Sequence, residues 1–178
     1  SGESVPFTGK AITYFSDSGI MGVVGKAIQT ETTIVGGNLD GLYIEYYENG
    51  QRKIDYIYRM NKKEGEYREY YENGQIMIYG KYLSDKLEGE VNYFQLSGKL
   101  SKQENYKNGL LEGLVTEYDE LGLKTTETTY KAGNKSGRYT LFHKNGQIKE
   151  EGHFINNKLT GVYTYYNDRG KLLMQNRY

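Results

Sequence analysis

A glycine recurs every 24 residues, at Gly41, Gly65, Gly89, Gly113, Gly137 and Gly161, and a second follows each after nine residues, from Gly50 to Gly170. With the leading glycine as position 0, position 5 is Tyr46, Tyr70, Phe94, Tyr118, Phe142 and Tyr166, and position 17 is Tyr58, Tyr82, Tyr106, Tyr130, Phe154 and Tyr178. Position 2 is Tyr43, Tyr67, Val91, Val115, Tyr139 and Tyr163. Six units without a slip of phase define a tandem repeat, in which stacked neighbours build one continuous core. Residues 9–40 read as a degenerate first copy that caps the stack: Tyr14 stands at position 5, Ser16–Gly19 supplies a turn, and Ile34 falls where the aromatic of position 17 belongs. That copy carries 8 extra residues, mostly in the Gly-rich stretch Ile20–Ala27. The reading is one repeat domain over residues 1–178.

Each unit predicts a β-hairpin. The flanks of Glu48-Asn49-Gly50, Glu72-Asn73-Gly74 and Lys144-Asn145-Gly146 are rich in aromatic and β-branched residues and hold no proline. Two turns compete there. A two-residue Asn-Gly turn would pair position 7 with 10, whereas a three-residue turn ending in a left-handed glycine would pair 6 with 10. The second sets Tyr70 opposite Ile76, Phe94 opposite Leu100, Phe142 opposite Ile148 and Tyr166 opposite Leu172, and such cross-strand pairs contribute about 0.2–1 kcal/mol each; it is preferred. Segments such as Ser84–Leu87 and Asn156–Leu159 then carry the chain to the next hairpin.

The expected fold is all-β: an elongated, largely single-layer antiparallel sheet of tandem 24-residue hairpins, with no helical periodicity to provide a second layer. This explains why the chain holds 20 Tyr and 23 Gly but 1 Pro. Tyrosine buries its ring in a thin sheet while its hydroxyl stays wet, and the leading glycines are expected to let rings lie across the backbone.

The motif Gly-x-Tyr-x-x-Tyr-Tyr-x-Asn-Gly-Gln-Ile, followed by Gly-x-Tyr/Phe-x-x-Asn-Lys-Leu-x-Gly, resembles the MORN repeat. More closely it looks like the variant MORN repeats of bacterial proteins, including those labelled YwqK-type antitoxins, and Tyr46–Gly50, Tyr70–Gly74 and Lys144–Gly152 carry the likeness best. The resemblance implies an elongated hairpin array that serves as an interaction platform. MORN repeats also adjoin the catalytic domains of some phosphatidylinositol-phosphate kinases, but the repeats fill this chain and nothing in it resembles the kinase portion.

Candidate chemistry was weighed against the repeat. His143 and His153 occupy variable positions 6 and 16 and read as solvated strand residues. The carboxylates Glu45, Glu48, Glu69, Glu72, Glu88, Glu112 and Glu117 follow the ladder, whereas acid–base catalysis needs one pair in a cleft. Gly19, Gly22 and Gly25 lack the spacing of a phosphate loop. No cysteine is present, which excludes disulfides and thiolate zinc. No catalytic, cofactor-binding or metal residue is assigned, and the chain is read as a non-enzyme.

Position 6 is Tyr47 and Tyr71 in the first two full units and then varies, so it is expected to be exposed. Strand alternation puts it beside positions 2 and 4, giving one face with Tyr43, Glu45, Tyr47, Tyr67, Glu69 and Tyr71 as the candidate partner site. Exposed tyrosines are common in protein interfaces.

The leading expectation is therefore a protein-binding scaffold, with an antitoxin, immunity or cell-envelope role as a special case. The alternative is a lipid head-group module. Lys+Arg 23 against Asp+Glu 23 leaves zero net charge, so no global field favours nucleic acid or anionic lipid. Edge-to-edge self-association through Lys171–Tyr178 is a further expectation. The chain starts at Ser1 rather than Met. An exported or envelope location follows if a signal was removed, and a cytoplasmic one if the role is antitoxin-like.

Overall fold

The computed structural model describes residues 5–15 and 27–178. The turn at Ser16–Gly19, the glycines Gly22 and Gly25 and most of the Ile20–Ala27 stretch lie outside these residues. The chain forms two compact units, Ser1–Lys86 and Leu87–Tyr178. No helix occurs among the described residues.

In the first unit the strands are β1 (Gly9–Tyr14), β2 (Ile28–Val35), β3 (Asn38–Tyr46), β4 (Arg52–Arg59), β5 (Lys62–Tyr70) and β6 (Ile76–Leu83), with β7 (Lys86–Leu87) at the boundary. β1 to β6 pair in chain order, each antiparallel to the next. The second unit holds β8 (Gly89–Phe94), β9 (Leu100–Lys107), β10 (Leu110–Leu111), β11 (Gly113–Tyr118), β12 (Lys124–Lys131), β13 (Asn134–Phe142), β14 (Ile148–Ile155), β15 (Lys158–Tyr166) and β16 (Leu172–Arg177). These too pair antiparallel in hairpin order, with the short β10 folding back on β9. The fold is the all-β antiparallel hairpin array read from the repeat.

The first turn of each unit is the three-residue form. The Tyr47 N–H donates to the Gln51 carbonyl at 2.8 Å, Gly50 N–H returns to the Tyr47 carbonyl at 2.9 Å, and Gly50 takes φ 82°. Tyr71 with Gln75, Gln95 with Lys99 and His143 with Gln147 repeat the closure. Tyr70 accordingly faces Ile76, Phe94 faces Leu100, Phe142 faces Ile148 and Tyr166 faces Leu172.

The two-residue primed turn is used as well, at the opposite edge. Met60 (φ 48°) with Asn61 (φ 64°), and Asn156 (φ 48°) with Asn157 (φ 66°), both have the paired positive φ of a type I′ turn. Ala132 and Gly133 do the same, with φ 47° and 81°. An alanine or methionine there carries left-handed strain that the surrounding pairing sustains.

Leading glycines serve a different purpose from the one expected. Between the Tyr56–Tyr67 and Tyr58–Lys63 partners, the single residue Ile57 faces Glu64, Gly65 and Glu66. Gly65 sits in this bulge at φ 84°, and Gly137 occupies the same place at φ 129°. A Cβ on Gly137 would fall 2.8 Å from the Thr129 Cβ, so no ring crosses there. A ring does cross the backbone at Gly152, position 15, where a Cβ would collide with Tyr163.

Burial is shallow and lies on both faces. Ile44, Tyr67, Val91, Val115 and Tyr163 are the buried apolar residues, and Thr116, Thr140 and Thr164 form a buried polar row on β11, β13 and β15. Each lies mid-strand, covered by neighbours in the same sheet.

Gly137→Ala combines a disallowed φ with the Thr129 contact and is expected to cost about 2–3 kcal/mol. Gly146→Ala, at φ 82° with open space around it, should cost about 1–2 kcal/mol. Urea unfolding curves of the two variants should rank them in that order.

Candidate functional site

The alternation that makes a strand also sorts the predicted site residues. Across the first unit, Ala11, Thr32, Tyr43, Tyr56, Tyr67 and Gly80 are successive cross-strand partners and form one row on one face. The adjoining row on that face runs Glu45, Ile54, Glu69, Ile78. The structure therefore brings Tyr43, Glu45, Tyr67 and Glu69 together.

Aromatic contact organises the face. Tyr43 and Tyr56 stack with centroids 4.8 Å apart at 7°, and Tyr58 sets its edge against both, at 6.1 Å and 5.4 Å. Tyr67 packs on Tyr82 at 4.9 Å and is 4% exposed, so it supports the face from beneath. Tyr43, Tyr56, Tyr58 and Tyr82 are half-buried. The Lys63 ammonium lies 4.2 Å from the Tyr56 centroid and 5.2 Å from that of Tyr82, a cation–π arrangement.

Charges on the face are matched in pairs. Lys53 Nζ lies 2.6 Å from Glu45 Oε1, and this hydrogen bond raises the lysine above its ordinary value. Burial pushes the Glu69 carboxyl up, while Lys63 and Lys53 draw it back. Burial likewise raises the Tyr56 hydroxyl, with Tyr58, Tyr43 and Glu45 adding to the effect. Burial raises the Tyr43 and Tyr82 hydroxyls as well, so these three phenols are neutral at physiological pH.

Tyr47 and Tyr71 depart from expectation: both are half-buried rather than exposed. The Tyr47 hydroxyl donates to the Tyr70 carbonyl of the following hairpin at 2.7 Å. The same position in the second unit makes the same link, Gln95 Nε2 to the Asp119 carbonyl at 2.7 Å and His143 Nε2 to the Tyr166 carbonyl at 3.0 Å. At Tyr47, Gln95 and His143 position 6 ties one turn to the next, whereas Asp119 and Asn167 at the same position accept backbone N–H groups of their own turns. His143 is thus held in the frame, whereas His153 is exposed. Among the described residues no group of three His, Asp or Glu is disposed to hold a metal.

Sequence reasoning assigned position 17 to packing and passed over position 15 and Lys63. Only the first full unit has tyrosine at both positions 2 and 15, but the three-residue turn alone would pair 2 with 14; the Tyr43–Tyr56 pairing depends on a register shift between Glu45 and Tyr46 that the sequence does not announce.

The same rungs in the second unit carry different chemistry. Glu104 is 7% exposed and receives the hydroxyls of Tyr93 at 2.7 Å and Tyr106 at 2.8 Å, with Lys102 Nζ at 2.9 Å. Burial pushes its carboxyl up, but the Lys102, Tyr93 and Tyr106 hydrogen bonds outweigh that and hold it below the ordinary value.

The family model for the MORN repeat variant matches residues 39–59, 63–83, 87–108 and 135–156. The chain is a MORN-variant repeat protein. Each matched segment opens two residues before a leading glycine, so the family repeat and the hairpin described above share one phase. No curated protein matches the chain. Among solved structures, the MORN-variant chain is similar to a GtfA/B complex bound to UDP and GlcNAc, at 16% identity and TM-score 0.27, covering 70% of this chain and 22% of that one. It is also similar to a mutant S. aureus TarM in complex with Fondaparinux, α-GlcNAc-glycerol and UDP, at 12% identity and TM-score 0.29, covering 67% and 19%. The chain spans about a fifth of the length of these solved chains, and likeness at such TM-scores carries no argument about activity.

Glu104→Gln keeps the shape but removes the charge that three donors serve, and should cost about 1–3 kcal/mol at neutral pH. Because the folded carboxyl titrates below its unfolded value of about 4.3, its stabilisation is present above that pH and is lost as pH falls through the folded value. Melting curves from pH 7 to 3 should show the wild type converging on the variant.

Proposed function

We propose that this MORN-variant chain is a non-catalytic scaffold that binds another protein through the tyrosine face of β3 to β6. The observation that supports it is the half-buried cluster of Tyr43, Tyr56, Tyr58 and Tyr82, flanked by Glu45, Glu69 and Lys63 on one face. Rigid aromatic rings bring large contact area at small entropic cost, which is why they dominate binding hot spots. Tyr43 and Glu45 retain the place given to them by the sequence, and Tyr56, Tyr58 and Lys63 join them. Tyr47 stands outside this contact set because its hydroxyl serves the turn-to-turn link, and Tyr71, half-buried at the same position, is left out with it.

A non-catalytic role is consistent with how the titratable side chains are engaged. Glu45 is paired with Lys53, and the His143 ring nitrogen meets the Tyr166 carbonyl. Head-group binding on this face is less favoured, because its two lysines are already held, Lys53 by Glu45 and Lys63 by the rings. Lipid recognition usually draws on about four to eight clustered cations. An antitoxin or immunity function is one form of the protein-binding reading, with a toxin as the partner.

A photo-reactive phenylalanine analogue at Tyr43 or Tyr58 should cross-link the partner from a lysate of the native source, whereas the same analogue at Tyr79, on the opposite face, should not. Tyr43→Ala should then weaken binding of that partner by about tenfold or more, ~1–2 kcal/mol, with the melting temperature monitored alongside. Equal cross-linking from both faces would retire the site.

A further inference from the structure

The type I′ edge of each unit carries a charge asymmetry that composition conceals. Positions 18 and 21 flank the two-residue turn, and at least one of them is basic in every turn from Arg59 onward. In the first unit these cations are Arg59, Lys62 and Lys86, and in the second Lys107, Lys131 and Lys158. All six are exposed, and none has an ion pair among the described residues.

Carboxylates beside them accept backbone N–H groups of neighbouring turns. Glu64 Oε2 accepts the Ser84 N–H at 2.9 Å and Asp85 Oδ1 accepts the Lys63 N–H at 2.8 Å. In the second unit Glu88 accepts from Asn108 at 2.8 Å and Glu112 from Ala132 at 2.7 Å. Asp40 is half-buried. These acids are engaged by backbone donors, whereas the six cations have no ion-pair partner among the described residues, so the exposed cations are what this edge of each unit offers for contact. Apolar side chains stand between the cations: Met60 and Leu83 are 65% and 46% exposed, and Leu110 and Ile155 are 51% and 56% exposed.

Spacing narrows the ligand. Successive turns on one edge are two strands apart, about 9.6 Å. A polyproline II segment advances ~3.1 Å per residue with three residues per turn, about 9.3 Å, so every third side chain points the same way once per hairpin. An extended β-strand alternates with period two and turns every third side chain away. Three cations per unit fall short of the about four to eight typical of lipid recognition. Positions 18 to 21 hold no aromatic in any unit, so nucleic-acid bases have nothing to stack on.

We propose that the type I′ edge of each unit binds an acidic protein segment in polyproline II conformation. The segment carries a carboxylate at every third residue to meet the cations and apolar residues between them to cover Met60 and Leu83, or Leu110 and Ile155. This surface is separate from the tyrosine face and stands whether or not that face binds a partner.

The test is fluorescence polarisation of the full chain with a labelled peptide of five Glu-Pro-Val repeats. Controls are a peptide of the same composition with its glutamates in one block, and five Lys-Pro-Val repeats. The periodic acidic peptide should bind at least fivefold more tightly than the blocked one, weaken with added salt, and be unaffected by Tyr43→Ala. The lysine peptide should not bind. Combined Lys62→Glu, Lys86→Glu, Lys131→Glu and Lys158→Glu should weaken binding at least tenfold with an unchanged melting temperature, since these side chains hold no ion pair. Equal affinity for the blocked peptide, indifference to the four charge reversals, or preference for phosphatidylserine vesicles or poly(U) over the peptide would each overturn the proposal.

Discussion

Because each unit is a single antiparallel sheet, an apolar side chain in it can be covered only by neighbours in the same sheet. That constraint governs the rest of the structure. Cross-strand partners lie about 4.5–5.5 Å apart at Cβ, and their diagonals are within reach of aromatic rings. A small residue mid-strand, such as Val91, can therefore be fully enclosed by larger neighbours, and a tyrosine can be covered by stacking on another, as Tyr43 is on Tyr56. The aromatic surplus is what a thin sheet needs to hide anything.

A thin sheet also forces its polar tips to find partners in the layer. The tyrosine hydroxyls do not simply remain in water as the composition suggests. Tyr70 donates to buried Asp55 at 2.7 Å, Tyr163 to Glu150 at 2.8 Å and Tyr166 to Glu151 at 2.6 Å. Burial, with the carboxylate contact adding to it, raises the Tyr70 and Tyr163 phenols, and the Glu151 hydrogen bond leads the rise at Tyr166, so each phenol engages a carboxylate. The equal number of acids and bases thus conceals an unequal availability. Many acids are tied to phenols or to backbone N–H groups, while the cations of the type I′ edge are left free.

The repeat length, the hairpins, the three-residue turn and the pairing of positions 5 and 11 were legible because each follows from a local rule: a glycine at a fixed offset, alternation of period two, and turn chemistry. Two features were not. The bulge at the leading glycine arises from pairing between hairpins, and a sequence shows only that glycine is required, not whether a ring or a backbone angle requires it. The burial of position 6 was also hidden. Tyr47, Gln95 and His143 look like an unconstrained series, yet all three reach a carbonyl of the following turn. Variation there reflects two ways of serving the turns, a long donor that reaches the next one or, at Asp119 and Asn167, a short acceptor that closes its own.

If backbone turns and glycines carry the frame, the side chains at positions 4, 13 and 15 are released to differ without cost to the fold, and they do. The same rungs read Glu45, Ile54 and Tyr56 in one hairpin, Tyr93, Lys102 and Glu104 in another, and Leu141, Glu150 and Gly152 in a third. Two residues before the leading glycine, most units place a leucine, whereas Lys63 and Lys135 stand there in two. A lysine stem covers a ring as a leucine does, while its ammonium rests over Tyr56 or Phe154 and adds charge to the face. Recognition in such an array is therefore written in the departures from the repeat. The unit in which tyrosine occupies both positions 2 and 15, beside one of those lysines, is where the departures converge on a surface rather than on a closed internal network like that of Glu104.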